Sequence, residues 1–437
     1  MIRRKTIGMI AALILSAPVI FGQSEAATPQ IIGLEQCKAL ALQNNAAIRT
    51  AADKLESAHQ VSRQAFTKYF PSVSAVGMGF KTNRHVLRYD VADLLTIGLI
   101  KDGLLGGITA TQPVFAGGQI VNGNRLASVG EEAGRLELER TSDDVCKTVE
   151  QYYWSLMALK QKKQTLESVM NMVDTLYHQV DLYVKAGVAI NNDLLKVRLA
   201  KNQYATDMVD LDNGIDLSRK LLLQYIGCYG QNIDFETPDI SLDTSVTPGE
   251  IYVDPSSAVY STPAYGLLDA QVRAAQLREK MEAGKLLPSV GVGGGLYYAD
   301  LLQQHNTFGS IFVAVSIPIS DWWGGSHAVR KSKIDTRVAM TERDDLTQML
   351  ELGMNDAWDK LTAAQRKMEI ARQSVVQSDE NLRVNRSFYE AGTVTISDLL
   401  DAQMLYRKSC DEFSESYYNF CIERAAYLAI TSQISTK

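Results

Sequence analysis

The sequence has little of what builds covalent frameworks or metal centres. Five cysteines and five histidines are scattered through 437 residues, without a CxxC pair or an HExxH motif. No nucleophile–base set stands out, and the glycines at 291 and 293–295 interrupt a strand-like run instead of opening a helix. The net charge of -6 leaves no basic footprint for nucleic acid. We therefore expect no enzyme activity, no cofactor, no metal site and no nucleic-acid partner.

Long hydrophobic runs are also scarce. The mean hydropathy of -0.10 is too polar for a bundle of transmembrane helices, while 46% hydrophobic residues exclude a disordered chain. The one extended apolar run, Ile7–Phe21, follows three basic residues and precedes the small residues Ser24 and Ala26. This pattern predicts an export signal peptide over residues 1–26. The alternative is a membrane anchor, for which the run is short.

An internal repeat is the most informative feature. Residues 183–195 match residues 388–400, and the offset of 205 residues between Gly187 and Gly392 is shared by Pro113 and Pro318. Further upstream the offset is 217, so the first copy carries about twelve extra residues, which we predict to be a surface loop between Lys81 and Gly106. We predict a first repeat over residues 27–230, a linker or equatorial segment over residues 231–261, and a second repeat over residues 262–437.

Both repeats predict the same order of elements. A helix, roughly Leu34 to Lys68 and Ala264 to Leu287, precedes two strand-like runs, a very long helix, a tight turn and a returning helix. Apolar residues recur every 3.5 residues from Val145 to Val184, and the same register continues in the second repeat from Leu350 to Tyr389. Such a sustained period predicts antiparallel coiled-coil packing. A helix from Gly118 to Lys185 would be about 100 Å long.

The strand-like runs are about ten residues long and alternate in character. Ile311, Val313 and Val315 alternate with mostly small residues, and two further runs alternate around glycines. This is the length that a tilted strand needs to cross a bilayer, although a soluble β-hairpin is the alternative. Four strands cannot close a barrel, and open edges cannot stay in lipid. Three copies would supply twelve strands, whereas two would supply eight, which enclose no conducting pore.

The repeat, the paired AGxxxxxDLL turns and the junctions Gln112–Gly118 and Ile317–Gly325 together resemble the outer-membrane efflux protein family, the TolC-like outer membrane factors. The resemblance covers nearly the whole chain after the signal peptide. It implies a mainly α protein with a membrane β-barrel portion, four strands per chain, in a homotrimer with a twelve-stranded barrel and an α-helical periplasmic tunnel. It further implies a passive exit duct in the outer membrane, with a periplasmic extension, for tripartite efflux or type I secretion.

The resemblance also implies functional residues. The two turns would form the periplasmic tip on which a membrane-fusion adaptor docks, coupling the tunnel to an inner-membrane transporter of RND or ABC type. The docking residues would be Ala186, Gly187, Val188, Ala391, Gly392 and Thr393. The periplasmic gate would comprise Asp193 with its partner Tyr389, and Asp398 and Asp401 as rings of carboxylates that bind cations in a narrow neck.

Some readings of the sequence stay open. The family often has arginine where this chain has Val394, which puts the usual salt-bridged lock in doubt. Asp193 and Asp398 could instead be N-caps of the returning helices. A structural or adhesive coiled-coil protein of the cell envelope, without a pore, is the alternative function. The sequence does not distinguish drugs, metals and proteins as cargo.

Overall fold

The computed structural model describes residues 30–84, 86, 88–91, 95–98, 101–238, 248–301 and 304–434. The predicted signal peptide lies outside these residues, as does the stretch 239–247 of the predicted linker. Within the described ranges, no helix combines the length and the apolar character needed to cross a membrane.

Helices make up most of the chain. Two of them, α3 and α7, have 67 and 70 residues, and at 1.5 Å per residue each is about 100 Å long, which confirms the predicted long helix from Gly118 to Lys185. The helices are α1 (Leu34–Asn44), α2 (Ala46–Phe66), α3 (Gln119–Lys185), α4 (Asn191–Tyr225), α5 (Pro255–Ala258), α6 (Pro263–Gly284), α7 (Asp321–Glu390) and α8 (Ile396–Ile430).

The prediction of one continuous helix from Leu34 to Lys68 was wrong. The chain breaks at Asn45, which has an extended backbone with φ -63° and ψ 137°. The Asn45 side chain accepts a hydrogen bond from the Ala47 N–H at 2.7 Å and donates one to the Tyr225 carbonyl at 2.9 Å. Asparagine competes for backbone hydrogen bonds in this way, so it ends α1 and caps α2.

In the described ranges, eight strands form three separate sheets. The main sheet is antiparallel, in the order β2–β5–β7–β8, while β3 and β4 form a hairpin and β1 pairs in parallel with β6. The hairpin lies in the predicted surface loop, and β5 begins four residues before the predicted end of that loop. The strands are β1 (Gln30–Ile32), β2 (Ser72–Lys81), β3 (Arg88–Val91), β4 (Leu95–Gly98), β5 (Asp102–Ala116), β6 (Ile233–Phe235), β7 (Ser289–Leu301) and β8 (Gln304–Ser316).

The strand register separates the main sheet into two chemically different faces, because cross-strand partners share a face. One, here called the apolar face, carries aliphatic side chains from all four strands: Val73, Leu104, Ile108, Val290, Val292, Leu296, Ile311, Val313 and Val315. The opposite face, here called the mixed face, carries hydroxyl, amide, glycine and aromatic residues: Ser72, Ser74, Thr109, Thr111, Gly293, Gly295, Asn306, Phe308, Ser310 and Phe312. The larger side chains of β2, such as Val76 and Met78, lie on the mixed face and not on the apolar face that carries Ile311.

The heptad seam forms the core of the helical part. Its members in α3 and α7 are buried or half-buried, with one exception: Tyr152 is exposed. The neighbouring Tyr153 is buried instead and donates a hydrogen bond to the Glu236 carbonyl at 2.7 Å. Beyond Tyr225, β6 packs against α3 through a cluster that includes Ile233 and Phe235. The packing of β6 therefore places Tyr153 in the core at this level, instead of the seam residue Tyr152.

Candidate functional site

The two helical turns have the same backbone. Gly187 and Gly392 adopt left-handed conformations, with φ +74° and +73°. In each turn the glycine N–H donates to the carbonyl three residues earlier, at Val184 or Tyr389, and the next N–H donates to the carbonyl five residues earlier. This double hydrogen bond is the Schellman ending of a helix, which favours glycine because it lacks a Cβ.

The returning helices begin differently at equivalent positions. At the second tip, Thr395 is the N-cap of α8: its hydroxyl accepts from the Asp398 N–H at 3.3 Å, and the Asp398 carboxylate accepts from the Thr395 N–H at 2.8 Å. These two bonds form a capping box. At the first tip, the N-cap of α4 is Ile190, which has no capping side chain. The alternative that Asp193 and Asp398 are N-caps is therefore wrong, because both occupy the third position of the helix.

Lys196 is a cation at the tip that our sequence reasoning missed. Its Nζ donates to the Ser397 hydroxyl at 2.8 Å and so links α4 with α8. The pKa of Asp398 is held below its usual value, first by the hydrogen bonds from Thr395 and then by the charge of Lys196. The repeat offset of 205 residues makes Lys196 the counterpart of Asp401. This replacement of an acidic by a basic residue was the sequence signal that could have identified Lys196.

The predicted gate residues fall into two groups. Asp398 and Asp401 are both exposed in the first turns of α8. Asp193 lies close to Tyr389, whose pKa is raised by burial and then by the negative charge of Asp193. Among the described residues no hydrogen bond joins these two side chains. Val394, at the position of the expected arginine, is half-buried. The gating roles themselves stay predictions.

The predicted docking residues form two exposed knobs. Ala186, Gly187 and Val188 are exposed at the first turn, and Ala391, Gly392 and Thr393 at the second. A Cβ placed on either glycine would meet no heavy atom within 4 Å, so the turns face open space. The first knob is the more apolar, because Val188 is 77% exposed and Ile190 64%. The docking role is likewise a prediction.

A charged cluster that we did not predict joins the two hairpins above the tip. Arg407 of α8 contacts Asp207 of α4 at 2.6 Å and Asp411 at 3.5 Å, and its guanidinium lies 5.2 Å from the centre of the Tyr204 ring. Burial raises the pKa of Asp411. These residues have no counterpart in the repeat motif, so the sequence offered no sign that they meet.

The main sheet ends in two unpaired edges. Within the described chain, β2 pairs only with β5, and β8 pairs only with β7. The three antiparallel pairings give β2 and β8 opposite directions. The apolar face is also uncovered, with Ile311 93% exposed, Val313 67% and Val73 70%. The edges therefore require another strand, and the apolar face requires a partner or lipid.

Comparison with known proteins agrees with this geometry. Residues 39–227 and 264–419 match the family described as outer membrane efflux protein. The fold is similar to three solved structures: CusC (TM-score 0.78, 14% identity, 91% of each chain covered), the outer-membrane channel OprN (0.78, 15%, 91% of this chain and 89% of that chain) and the outer membrane protein VceC from Vibrio cholerae (0.77, 14%, 91% and 96%). No curated protein sequence matches the chain.

Proposed function

Because this chain belongs to the outer membrane efflux protein family, we propose that three copies assemble into a channel-tunnel that serves as the passive exit duct of a tripartite efflux or type I secretion system. The family membership itself makes it an outer-membrane efflux channel protein with a periplasmic helical part, and not an enzyme. The trimer, the docking and the coupling to a transporter are the proposal.

The observation that carries the proposal is the four-stranded sheet with two unpaired edges. Since β2 and β8 run in opposite directions, β8 of one copy can pair with β2 of the next and continue the antiparallel order. A closed ring of copies leaves no edge in lipid. Three copies give twelve strands, enough for an open lumen, whereas eight strands enclose a space that side chains fill.

The two faces of the sheet support the same arrangement. In a closed ring the apolar face with Ile311 and Val313 would contact lipid, and the mixed face with Ser310, Thr109 and Asn306 would line the duct. Outer-membrane barrels show this alternation of apolar outside and polar inside. An adhesive coiled-coil protein without a pore has no need of such a sheet.

The helical part would continue the duct into the periplasm. Each copy contributes two antiparallel hairpins, α3–α4 and α7–α8, in which the first helix is about 100 Å long and the returning helix about 50 Å. The exposed knobs at Gly187 and Gly392 would receive the periplasmic membrane-fusion adaptor, and an RND- or ABC-type transporter in the inner membrane would supply the energy. Asp398 and Asp401 would form two rings of three carboxylates at the narrow end, near the Asp193–Tyr389 contact.

A charge placed on either face of β8 tests the sheet assignment. Ile311→Lys puts a cation on the proposed lipid face, where it costs about 2–4 kcal/mol per copy near the bilayer midplane. The control Ser310→Lys puts it on the proposed lumen face. We expect the first variant to lose outer-membrane trimers, measured by native gel of membrane fractions, and the second to keep them. Equal trimer levels in both variants would refute the lipid-facing assignment.

A further inference from the structure

A cavity of about 660 Å³ lies in the helical part, where α6 begins and α8 ends between α3 and α7. Its wall is mostly aliphatic and includes Leu267, Leu268, Met349, Leu350, Ala426 and Ile430. The volume falls in the range of pockets that hold small organic ligands. None of the predicted gate or docking residues lines this cavity.

The charged groups of this cavity are not balanced. Four carboxylates and three cations line it. All three cations have an acidic partner, since Lys147 pairs with Asp144 at 2.7 Å, Lys360 with Asp356 at 2.6 Å, and Arg140 lies between Glu137 and Asp144. Among the described residues, Asp143 and Glu423 have no such partner. The lining therefore carries a net charge of one negative unit, and each of its cations already lies beside a carboxylate.

Asp143 is the more unusual of the two carboxylates. It is only 8% exposed, yet it has no hydrogen bond or ion pair within the described chain. Burial, with the nearby charges of Glu139 and Asp144, raises the pKa of its carboxyl to about 6. Its carboxylate oxygens are not among the buried polar atoms that lack a hydrogen-bond partner, so they reach the solvent of the cavity, where they are open to a cationic ligand.

We propose that this cavity binds an amphipathic organic cation, whose apolar body contacts the aliphatic wall and whose positive charge lies against Asp143. An anion would meet Asp143 with no available cation to offset it. A metal ion is disfavoured by the aliphatic lining, and no group of three potential metal ligands occurs among the described residues. Two ligands that have the same shape and opposite charges therefore distinguish a site for cations from a site for anions.

Two ions of nearly identical shape provide the test. Tetraphenylphosphonium and tetraphenylborate would each be titrated by calorimetry into the full-length protein in lipid nanodiscs at pH 8, with empty nanodiscs as the blank. We expect saturable binding of one tetraphenylphosphonium per chain and no saturable binding of tetraphenylborate. Saturable binding of the anion, or no binding of the cation, would overturn the proposal. Neither result depends on whether the protein conducts.

Variants locate the site. Asp143→Asn should weaken tetraphenylphosphonium binding at least about tenfold, whereas the matched control Asp210→Asn, at an exposed carboxylate of α4 outside the cavity, should leave it unchanged. Ala426→Phe should abolish tetraphenylphosphonium binding, because it fills the cavity and leaves the charge of Asp143 in place. This variant tests the site if Asp143→Asn fails to assemble. Unchanged affinity in Asp143→Asn or in Ala426→Phe would place the cation elsewhere and refute this site.

The affinity should also fall with acidification, because a protonated Asp143 cannot attract a cation. The charged groups that act on Asp143 are Glu139 and Asp144 of its own helix. The other charged residues of the lining are Arg140 and Lys147 of α3, Asp356 and Lys360 of α7, and Glu423 of α8, while α6 contributes uncharged side chains. We expect wild-type affinity to drop as the pH falls through about 6, with a much smaller drop in Asp143→Asn. An equal drop in both would show that Asp143 does not hold the charge.

Discussion

The two tips of the molecule share a backbone and differ in how the next helix starts. Both end a long helix in the same Schellman turn around a left-handed glycine, and both place an aspartate three residues after the N-cap. Only the second has a hydroxyl at the N-cap, where Thr395 stands at the position equivalent to Ile190. The repeated motif thus determines the backbone of the turn, while the residue at the N-cap determines whether the aspartate takes part in a capping box.

The consequence is a difference in the chemistry of the tips. At the second tip the Asp398 carboxylate is held by Thr395 and lies near Lys196. At the first tip the Asp193 side chain takes no part in capping and lies near the half-buried Tyr389 instead. We infer that the second tip is the more firmly ordered start of a helix, and that the first has a carboxylate available for contacts between helices.

The largest effect is expected where the tips are alike. Gly187→Val or Gly392→Val forces a β-branched residue into a left-handed conformation, at about 1–2 kcal/mol, and adds bulk to a surface that meets no other atom of the chain. We expect export, measured by cargo efflux from cells, to be lost while trimer levels stay normal. Gly392→Asn is the control, since asparagine tolerates this conformation. Normal export in the valine variants would remove the docking role.

The next effect concerns the carboxylates. Asp398→Ala combined with Asp401→Ala should weaken block of the channel by multivalent cations about tenfold or more in planar bilayers, because two rings of three charges are lost. Asp193→Ala is the matched variant at the first tip and should leave the block nearly unchanged. Unaltered block in the double variant would refute the assignment of Asp398 and Asp401 to the gate.

A smaller effect tests the capping difference itself. Thr395→Ala removes the N-cap hydroxyl and should cost about 1 kcal/mol, which speeds local hydrogen exchange in the first turn of α8 about fivefold. Ile190→Ala, the equivalent change at the first tip, should have little effect on α4. Ile190→Thr should slow exchange in α4, because Asp193 is already placed to complete a capping box. Equal responses to the two alanine changes would remove the distinction between the tips.

The smallest effect involves pH. The folded pKa of Asp398 is depressed, so its contribution to the second tip is present above the usual aspartate pKa of 3.8 and is lost as the pH falls through the depressed value. Lys196→Met should move this loss to higher pH, because the neighbouring positive charge is removed. Hydrogen exchange of α8 measured from pH 5 to pH 3 would detect the shift. No movement would mean that Lys196 does not act on Asp398.

Much of the fold followed from local patterns in the sequence. The heptad seam predicted both long helices, the AGxxxxxDLL motif predicted both turns, and alternation predicted β2, β7 and β8, but not β5. These features depend on residues close together in the chain. The break at Asn45 did not follow, because its side chain bonds to Tyr225, 180 residues away.

The candidate site was less predictable. The motif located Asp193, Asp398 and the two glycines, but not the partners that determine what they do. Lys196 acts on the other repeat, and the ion pair between Arg407 and Asp207 joins residues 200 positions apart. Asp143 looked like one of many helical acids, and only packing against α6, α7 and α8 reveals that it is buried. Contacts between distant segments carry no local pattern.

The central claim is that the open sheet closes into a conducting pore with two other copies. The most direct measurement is single-channel recording of the purified full-length protein in a planar bilayer, on a sample shown to be trimeric by native mass spectrometry. We predict discrete conductance steps from the trimer, reduced by multivalent cations added on the side of the helical tips. Intact trimers that insert and carry no current would contradict the account and favour an adhesive coiled-coil protein without a pore.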